Sequence, residues 1–195
     1  MFDTLIKNGR VVLADREETL DIGIRDGRIA ALAPNIDTAC AREMVDASGQ
    51  YVMPGMVDAH MHVSEPGRTE WEGYETGTQA MVAGGITSFV EMPLNTIPAT
   101  TNVETLELKL RTAEGKCWAD YAPMGGARTV EPRRSGTACG CCVAAFKAFV
   151  ATCGSGKPGD FKNVTDFELY EGCRRIAQKD GLLVVHCENA TITDG

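Results

Sequence analysis

The pattern of apolar and polar residues changes near residue 53. Before it, short apolar runs alternate with polar turns, and Asn8-Gly9 and Asp26-Gly27 both fall between such runs. Asn-Gly and Asp-Gly in this position are typical of tight β-hairpins. Residues 1–53 are therefore predicted to form a small antiparallel β-module. Its strands are expected at 4–7, 10–13, 21–24, 28–32 and 43–45.

After residue 53, apolar runs of strand length alternate with helical patterns. This alternation is typical of an α/β fold with a parallel sheet or barrel. Asn102 is a candidate helix cap, and Gly84-Gly85 is a candidate helix end. The expected strands end at His60/His62 and then cover 86–92, 118–124, 144–150 and 182–186; the expected helices cover 72–83, 103–114 and 166–179. The last helix has Val164, Phe167, Tyr170 and Cys173 near one face.

The number of elements limits the architecture. A closed (β/α)8 barrel needs eight strands and roughly 250 residues, whereas this chain has 195 residues and five predicted barrel strands. Residues 54–195 are therefore predicted to form the amino-terminal half of such a barrel, in a truncated chain.

Composition narrows the possible partners. The apolar fraction of 44% is enough for a core, and the net charge is −8. An acidic chain argues against nucleic acid or an anionic membrane as the main partner. The sequence shows no signal peptide and no apolar run of membrane-spanning length, so we expect a cytoplasmic protein. Its eight cysteines are expected to be reduced thiols. Cys139-Gly140-Cys141-Cys142 lacks a second pair at zinc-finger spacing and does not indicate a metal site.

The first candidate chemistry lies in residues 51–67, where an apolar run ends in Asp58-Ala59-His60-Met61-His62. Alternate side chains of a strand point to the same side, so His60 and His62 are expected to project together. Neutral imidazole is a common metal ligand. Taken alone, this spacing also arises by chance on a polar strand face. Asp58 is expected on the same face, as a partner that orients an imidazole.

Lys147 and His186 strengthen the metal interpretation. Lys147 lies inside the apolar strand 144–150, where desolvation favours the neutral amine. A neutral amine can add carbon dioxide to form a carbamate, which can bridge two cations; the alternative is a lysine whose amine reaches solvent from the strand end. His186 follows the apolar run 182–185. All three histidines and Lys147 are expected at the strand ends where barrel active sites lie.

A set of motifs carries a family resemblance. The chain resembles the amino-terminal half of the cyclic-amide hydrolases of the amidohydrolase superfamily. The carrying residues are 54–62, Glu65-Pro66-Gly67, Thr76-Gly77-Thr78, 83–87, Glu91-Met92-Pro93, Phe146-Lys147 and 185–189.

The resemblance implies a fold and a metal centre. The implied fold is a (β/α)8 barrel plus a β-sandwich-like module built from both chain ends, and the implied centre holds two divalent cations. His60 and His62 would bind one cation, carboxylated Lys147 would bridge both, and His186 would bind the second. Zinc is the first expectation, and manganese, cobalt and iron stay open. A further histidine and the catalytic aspartate belong to later strands, so this chain contains no assured catalytic residue and is expected to be inactive alone.

Within that family, the chain looks most like the allantoinase branch. Dihydroorotases carry an arginine two residues after the second histidine, where this chain has Ser64. The loss of that arginine fits a neutral substrate, so we expect the hydantoin ring of allantoin to be opened to allantoate in purine catabolism. Ser64, Asn95 and Asn189 are candidate substrate contacts. The resemblance also implies a homo-oligomer, specifically a homotetramer.

Other interpretations remain open at this point. A hydantoinase, a dihydropyrimidinase or a dihydroorotase-like amidase would use similar chemistry. From a different class, the chain would be a non-catalytic remnant, an interaction module or a binder of a single structural metal. Residues 131–142 depart from the family pattern, because proline, glycine and serine replace an expected helix. A local frameshift would explain this segment, and the coding DNA tests it.

Overall fold

The computed structural model describes residues 1–127 and 143–194. The chain divides into two compact units, Met1–Pro54 and Gly55–Gly195. The segment 131–142, with its cysteine cluster and the proposed frameshift, lies outside the described residues.

The first unit is a mixed sheet. Its strands are β1 (Phe2–Val12), β2 (Glu17–Arg25), β3 (Arg28–Ala33), β4 (Ala41–Asp46) and β5 (Tyr51–Val52), with a short 3₁₀ helix at Thr38–Cys40. The order is β3-β2-β1-β4, and β5 also pairs with β1. The first three strands are antiparallel, but β4 and β5 run parallel to β1. The expectation of a wholly antiparallel module is therefore wrong, whereas the turn at Asp26-Gly27 is confirmed.

The predicted hairpin at Asn8-Gly9 is also wrong. β1 runs straight through these residues, and its pairing with β2 shifts register between Ile6 and Gly9. The Asn8 amide, at φ +61°, donates to Asp21 Oδ1 at 2.9 Å. Asp21 is buried and also accepts from Lys7 Nζ at 2.8 Å. A carboxylate that satisfies the displaced amide lets the strand continue through a bulge instead of reversing.

The second unit alternates parallel strands with helices, as predicted. Its elements are β6 (Met56–Met61), α1 (Tyr74–Ala83), β7 (Ile86–Glu91), α2 (Val103–Ala113), β8 (Asp120–Pro123), β9 (Gly125–Gly126), β10 (Phe146–Phe149), α3 (Asp166–Ala177), β11 (Leu183–His186) and α4 (Ala190–Thr193). β6, β7 and β8 form one parallel sheet, and β9, β10 and β11 form another. Only Met124 separates β8 from β9, and its amide donates to the Glu91 carbonyl at 2.8 Å. The strands therefore follow one another in space in chain order, which is the order expected for part of a barrel.

Local sequence explains where the helices begin and end. Asn102 caps α2, and its side chain and that of Thr105 form a reciprocal capping box. Thr165 and Glu168 do the same for α3. Each box satisfies amides that the first helical turn leaves unpaired. After α2, Gly115 takes φ +74°, a conformation that glycine adopts without steric cost.

The buried face of α3 differs from the apolar face noted in the sequence. Gly172 and Ile176 are its buried residues, while Phe167 and Tyr170 are exposed. A Cβ placed at Gly172 would lie 3.3 Å from the Ala127 carbonyl oxygen. Close approach to this backbone selects a small residue, so the packing face is not the most apolar one.

Among the described residues, three apolar clusters form the core of the second unit. They centre on Phe89 and Tyr74, on Met92 and Phe161, and on Ala148 and Ile176. The five cysteines in the described ranges are all free, as expected for reduced thiols. Among those same residues, no helix has the length and apolar character needed to cross a membrane.

Candidate metal centre

The structure brings His60 and His62 together. His60 lies near the end of β6, and His62 follows that strand directly. The pairing with β7 shifts register between Asp58 and Met61, so a bulge lies beside the two histidines. Their ring centroids are 5.3 Å apart, and the ring planes meet at 46°. Two imidazoles at the carboxyl end of one strand provide adjacent nitrogen donors.

Asp58 contacts His60 through the backbone. Its Oδ1 accepts a hydrogen bond from the His60 amide at 2.9 Å. The carboxylate therefore stabilises the backbone conformation from which the imidazole projects. A direct role in orienting the imidazole ring stays a prediction.

His62 is held by the loop that follows β7. Asn95 Nδ2 lies 3.2 Å from His62 Nδ1, and the Leu94 backbone also forms a hydrogen bond with His62. Burial and then the neighbouring His60 lower the pKa of His62, although the Leu94 contact opposes them. The neutral imidazole that results is the form that binds a metal. Asn95 thus contacts a candidate ligand, and its predicted contact with substrate stays a prediction.

Lys147 is almost fully buried in β10. Its side chain is 2% exposed, and its Nζ lies 4.8 Å from the centre of the Phe149 ring. Within residues 1–127 and 143–194, no hydrogen bond or ion pair holds this amine. Burial lowers the pKa of Lys147, while the Glu188 charge opposes that shift. A buried amine with a lowered pKa is the state that carbamate formation requires.

His186 lies at the end of β11, which pairs with β10 so that His186 is opposite Phe149. The imidazole stacks on the Phe149 ring at a centroid distance of 4.5 Å, with the planes 10° apart. Its Nε2 lies 2.6 Å from Glu188 Oε1. The other Glu188 oxygen, Oε2, is buried without a hydrogen-bond partner among the described residues. Phe149 therefore contacts both Lys147 and His186.

The four predicted ligands form two groups. His60 lies against His62, and Lys147 shares Phe149 with His186. In the described part of the chain, no three His, Cys, Asp or Glu side chains are arranged to hold a metal ion. The adjacent imidazoles and the buried amine, which is unpaired among the described residues, fit part of a binuclear centre. His186 is less available as a metal ligand, because its Nε2 contacts Glu188 Oε1. The full ligand set stays a prediction.

The other predicted substrate contacts have structural partners. Ser64 is buried at φ +66°, and its carbonyl accepts from the Arg68 amide at 3.1 Å. Asn189 caps α4, and its Oδ1 accepts from the Thr191 amide at 3.1 Å and from the Thr191 hydroxyl at 2.6 Å. These contacts define where both residues lie, and their roles toward a substrate stay predictions.

The sequence reasoning missed a buried charge pair beside the histidines. Glu91 and Lys109 are 0% and 1% exposed, and Lys109 Nζ lies 3.1 Å from Glu91 Oε1. The Tyr74 hydroxyl donates to Glu91 Oε2, and Lys109 Nζ donates to the Met92 carbonyl at 2.8 Å. Burial raises the pKa of Glu91 and lowers that of Lys109, and their mutual attraction opposes both shifts. The sequence feature that indicates this pair is Glu91, a glutamate inside an apolar strand.

Comparison with known families and curated proteins supports the resemblance. The model of the amidohydrolase family matches residues 51–191. The allantoinase of Salmonella choleraesuis is 48% identical over 194 residues, which is 99% of this chain and 42% of that protein. The allantoinase of Salmonella paratyphi B has the same identity and coverage. The chain therefore spans about two fifths of the length of these curated relatives.

Solved structures show the same fold. The L-hydantoinase (dihydropyrimidinase) from Arthrobacter aurescens superposes with a TM-score of 0.84 at 33% identity, covering 98% of this chain and 42% of that chain. The D-hydantoinase (dihydropyrimidinase) from a Thermus species gives 0.76 at 28% identity, with coverage of 96% and 41%. These matches confirm the predicted α/β fold, which is part of a barrel preceded in the sequence by a β-module.

Proposed function

The chain belongs to the amidohydrolase family, and we propose that it supplies one side of a metal-dependent site that hydrolyses a cyclic amide. The observation that carries the proposal is the His60–His62 pair, whose ring centroids lie 5.3 Å apart at a strand end, together with the buried Lys147 amine, which has no hydrogen bond or ion pair among the described residues. The substrate we propose is allantoin, opened to allantoate. The 48% identity to Salmonella allantoinases supports that choice.

The candidate ligands have distinct roles. His60 and His62 would hold one divalent cation, carboxylated Lys147 would bridge two, and His186 would join the second. Zinc is the metal we propose first, with manganese, cobalt or iron as substitutes for the same nitrogen and oxygen donors. When bound, such cations supply an activated water and polarise the ring carbonyl.

Several side chains of this protein favour metal binding, carboxylation of Lys147 and a neutral substrate. The lowered pKa of His62 keeps its imidazole neutral near pH 7, and Asn95 fixes the ring at 3.2 Å. Burial keeps Lys147 available for carboxylation. Ser64 leaves no positive charge to pair with a substrate carboxylate, which favours allantoin over dihydroorotate. Asn95 and Asn189 are proposed to contact the ring or the ureido group.

Further proposals concern the residues that complete the site, the oligomeric state and the cellular location. The catalytic aspartate and one further histidine are proposed to come from a segment that this chain does not contain, so the chain alone is expected to be inactive. A homo-oligomer, tetrameric by family resemblance, and a cytoplasmic location are proposed for the active form.

Metal binding provides the first test. The purified chain is stripped with a chelator and titrated with cobalt(II), whose absorption spectrum distinguishes imidazole from thiolate ligands. This distinction is needed because the chain has eight cysteines. We expect one imidazole-type site that His60→Ala and His62→Ala each abolish. Unchanged cobalt binding by both variants would refute the proposal. Carbon-13 NMR with labelled bicarbonate should show a carbamate signal that Lys147→Met removes.

Activity provides the second test. The chain is mixed with the carboxy-terminal three fifths of a Salmonella allantoinase, and ring opening is followed for allantoin, hydantoin, dihydrouracil and dihydroorotate. We expect allantoin turnover in the mixture only, and its loss with His60→Ala. Faster turnover of dihydrouracil or hydantoin would favour the alternative function, that of a hydantoinase or dihydropyrimidinase, which the likeness to the hydantoinase structures supports. A metal-loaded, inactive complex would favour a non-catalytic remnant.

A further inference from the structure

The loops that follow β6, β7 and β10 are joined to one another. They are defined as loop A (62–73), loop B (92–102) and loop C (150–165). The Ile97 amide of loop B donates to the Pro66 carbonyl of loop A at 2.9 Å, and the Ala99 amide donates to the Gly159 carbonyl of loop C at 2.7 Å. Gly67 has φ +89°, and a Cβ there would lie 2.3 Å from the Ile97 carbonyl oxygen. The backbones of loops A and B therefore approach closely.

An ion pair joins loop A to loop C across 92 residues of sequence. The Arg68 Nη2 donates to Asp160 Oδ2 at 2.9 Å, and the two side chains are 12% and 3% exposed. Asp160 also accepts from the Ser155 amide at 2.7 Å, the Ser155 hydroxyl at 2.6 Å and the Phe161 amide at 2.8 Å. The Arg68 guanidinium lies over Trp71, 4.7 Å from the ring centre. Donors from two loops thus converge on one carboxylate.

The charge state of Asp160 follows from these donors. Burial by itself would raise the pKa of Asp160, but the hydrogen bonds from Ser155, Arg68 and Phe161 outweigh it and hold that pKa well below the usual range. The carboxylate is ionised at neutral pH, and charge-assisted hydrogen bonds are the strong, directional ones.

The ion pair connects to the candidate ligands in both directions. In loop C, Asp160 fixes the Phe161 amide, and the Phe161 ring meets Phe149 edge-on at 6.0 Å. Phe149 in turn contacts the Lys147 amine and the His186 imidazole. In loop A, the Arg68 amide donates to the carbonyl of Ser64, two residues after His62.

We propose that Arg68 and Asp160 are positioning residues for the metal centre. Their ion pair fixes loop C against loop A, and through Phe161 and Phe149 it sets where the Lys147 amine lies relative to His62. This inference rests on the proposed function. A buried ion pair adds little stability compared with an apolar pair of similar volume. Its directional contacts instead select one arrangement of the two loops.

The test uses the full chain in a Trp118→Phe background, because Trp71 is then the only tryptophan. The variants are Asp160→Asn, Arg68→Met and the conservative Arg68→Lys. The control is Glu171→Gln, which removes an exposed ion pair of α3. Trp71 emission reports release of the guanidinium. Cobalt affinity, the cobalt spectrum and the acetylation rate of Lys147, measured by peptide mass spectrometry, report the site.

We expect Asp160→Asn and Arg68→Met to weaken cobalt binding by roughly 10- to 100-fold, as for residues that orient metal ligands. The spectrum should change, acetylation of Lys147 should accelerate, and Arg68→Lys should restore part of each property. Folded variants with altered Trp71 emission but parental cobalt affinity, spectrum and acetylation would overturn the positioning role. If Asp160→Asn does not fold, Ser155→Ala, which removes one donor, answers the same question.

The two proposals fail differently. A parent chain that binds no cobalt through imidazole overturns the proposed function and the positioning role with it. A parent that binds cobalt normally, together with variants that bind it equally well, overturns the positioning role alone.

Discussion

Replacement of Lys109 by methionine tests how the buried charges hold the second unit together. Methionine has similar length and volume but no charge, so Glu91 would keep the Tyr74 hydroxyl and lose its cation. Both members of the pair are buried, and their charged atoms are 3.1 Å apart. The variant would also remove the hydrogen bond to the Met92 carbonyl.

The expected loss can be estimated from this geometry. At an effective dielectric constant of about 20, charges at this distance attract each other by about 5 kcal/mol. Loss of one partner of a buried pair generally destabilises a protein by about 3–5 kcal/mol, and we expect that range for Lys109→Met. Glu91→Gln keeps an acceptor for Tyr74 but leaves the ammonium unpaired, so its loss should be similar. The double variant removes both charges of this pair, so neither is left without its partner, and it should lose clearly less than the sum of the single losses.

Urea unfolding followed by tryptophan fluorescence measures these losses. Both tryptophans, Trp71 and Trp118, belong to the Gly55–Gly195 unit, so the signal reports that unit. The matched control is Arg111→Met on the same helix, where an exposed ion pair with Glu107 spans 3.8 Å and is worth at most about 0.5 kcal/mol. Single losses that add to within about 0.5 kcal/mol in the double variant would refute the coupling. So would a Lys109→Met loss no larger than that of the control.

Three further changes test other local arguments. Asn102→Ala removes the capping box of α2 and should lower the unfolding free energy by about 1 kcal/mol in urea. Asp160→Asn should flatten the loss of stability in acid. The fold lowers the pKa of the Asp160 carboxylate, so its stabilising effect is complete above the unfolded pKa of about 3.9 and is lost as the pH falls toward the folded pKa. Unfolding in urea between pH 2 and pH 7 measures this loss. Gly67→Ala should destabilise far more than Gly115→Ala, since both have positive φ but only Gly67 faces a carbonyl, that of Ile97, and thermal unfolding compares them.

Each of these three has a contradicting result. A loss for Asn102→Ala no greater than for Val103→Ala, at the adjacent exposed position, would contradict the capping argument. Parallel pH profiles for Asp160→Asn and the parent would mean that the carboxylate is not stabilised by the fold. Equal melting temperatures for Gly67→Ala and Gly115→Ala would show that loop B yields to the added methyl group.

Local signals predicted the element order of the second unit well. The capping residue of α2 is as predicted, and each predicted helix lies within two residues of its observed bounds. Apolar periodicity and capping chemistry depend on residues near one another in sequence. The same holds for the turn at Asp26-Gly27, where the strands it joins are adjacent in the chain.

Non-local contacts account for the errors. The bulge at Asn8 depends on Asp21, and the parallel pairing of β4 with β1 joins segments about 40 residues apart. Neither contact has a signature in the local sequence. The buried face of α3 depends on the Ala127 carbonyl, which no periodicity within the helix reveals.

The candidate site depends both on local sequence signals and on non-local contacts. The spacing of His60 and His62 predicted their proximity, because strand geometry is local. The engagement of His186 by Glu188 was missed, although the two residues are close in sequence, because side-chain direction beyond a strand end is set by tertiary packing. Lys109 was missed because a lysine within a helix usually faces solvent, and only the fold places it against Glu91.

Glu91 and Lys147 show how the surroundings of a buried charge separate a structural role from a chemical one. Each lies in an apolar strand and is almost fully buried. Glu91 has a cation and a hydroxyl as partners, and burial followed by the Glu91 charge raises the pKa of Tyr74, so that this hydroxyl remains a donor. Lys147 has no hydrogen bond or ion pair within the described residues, and its amine lies over the Phe149 ring. Burial lowers the pKa of Lys147, although the Glu188 charge opposes that shift, so the site shifts this group toward the neutral amine, which is the reactive form that carboxylation needs.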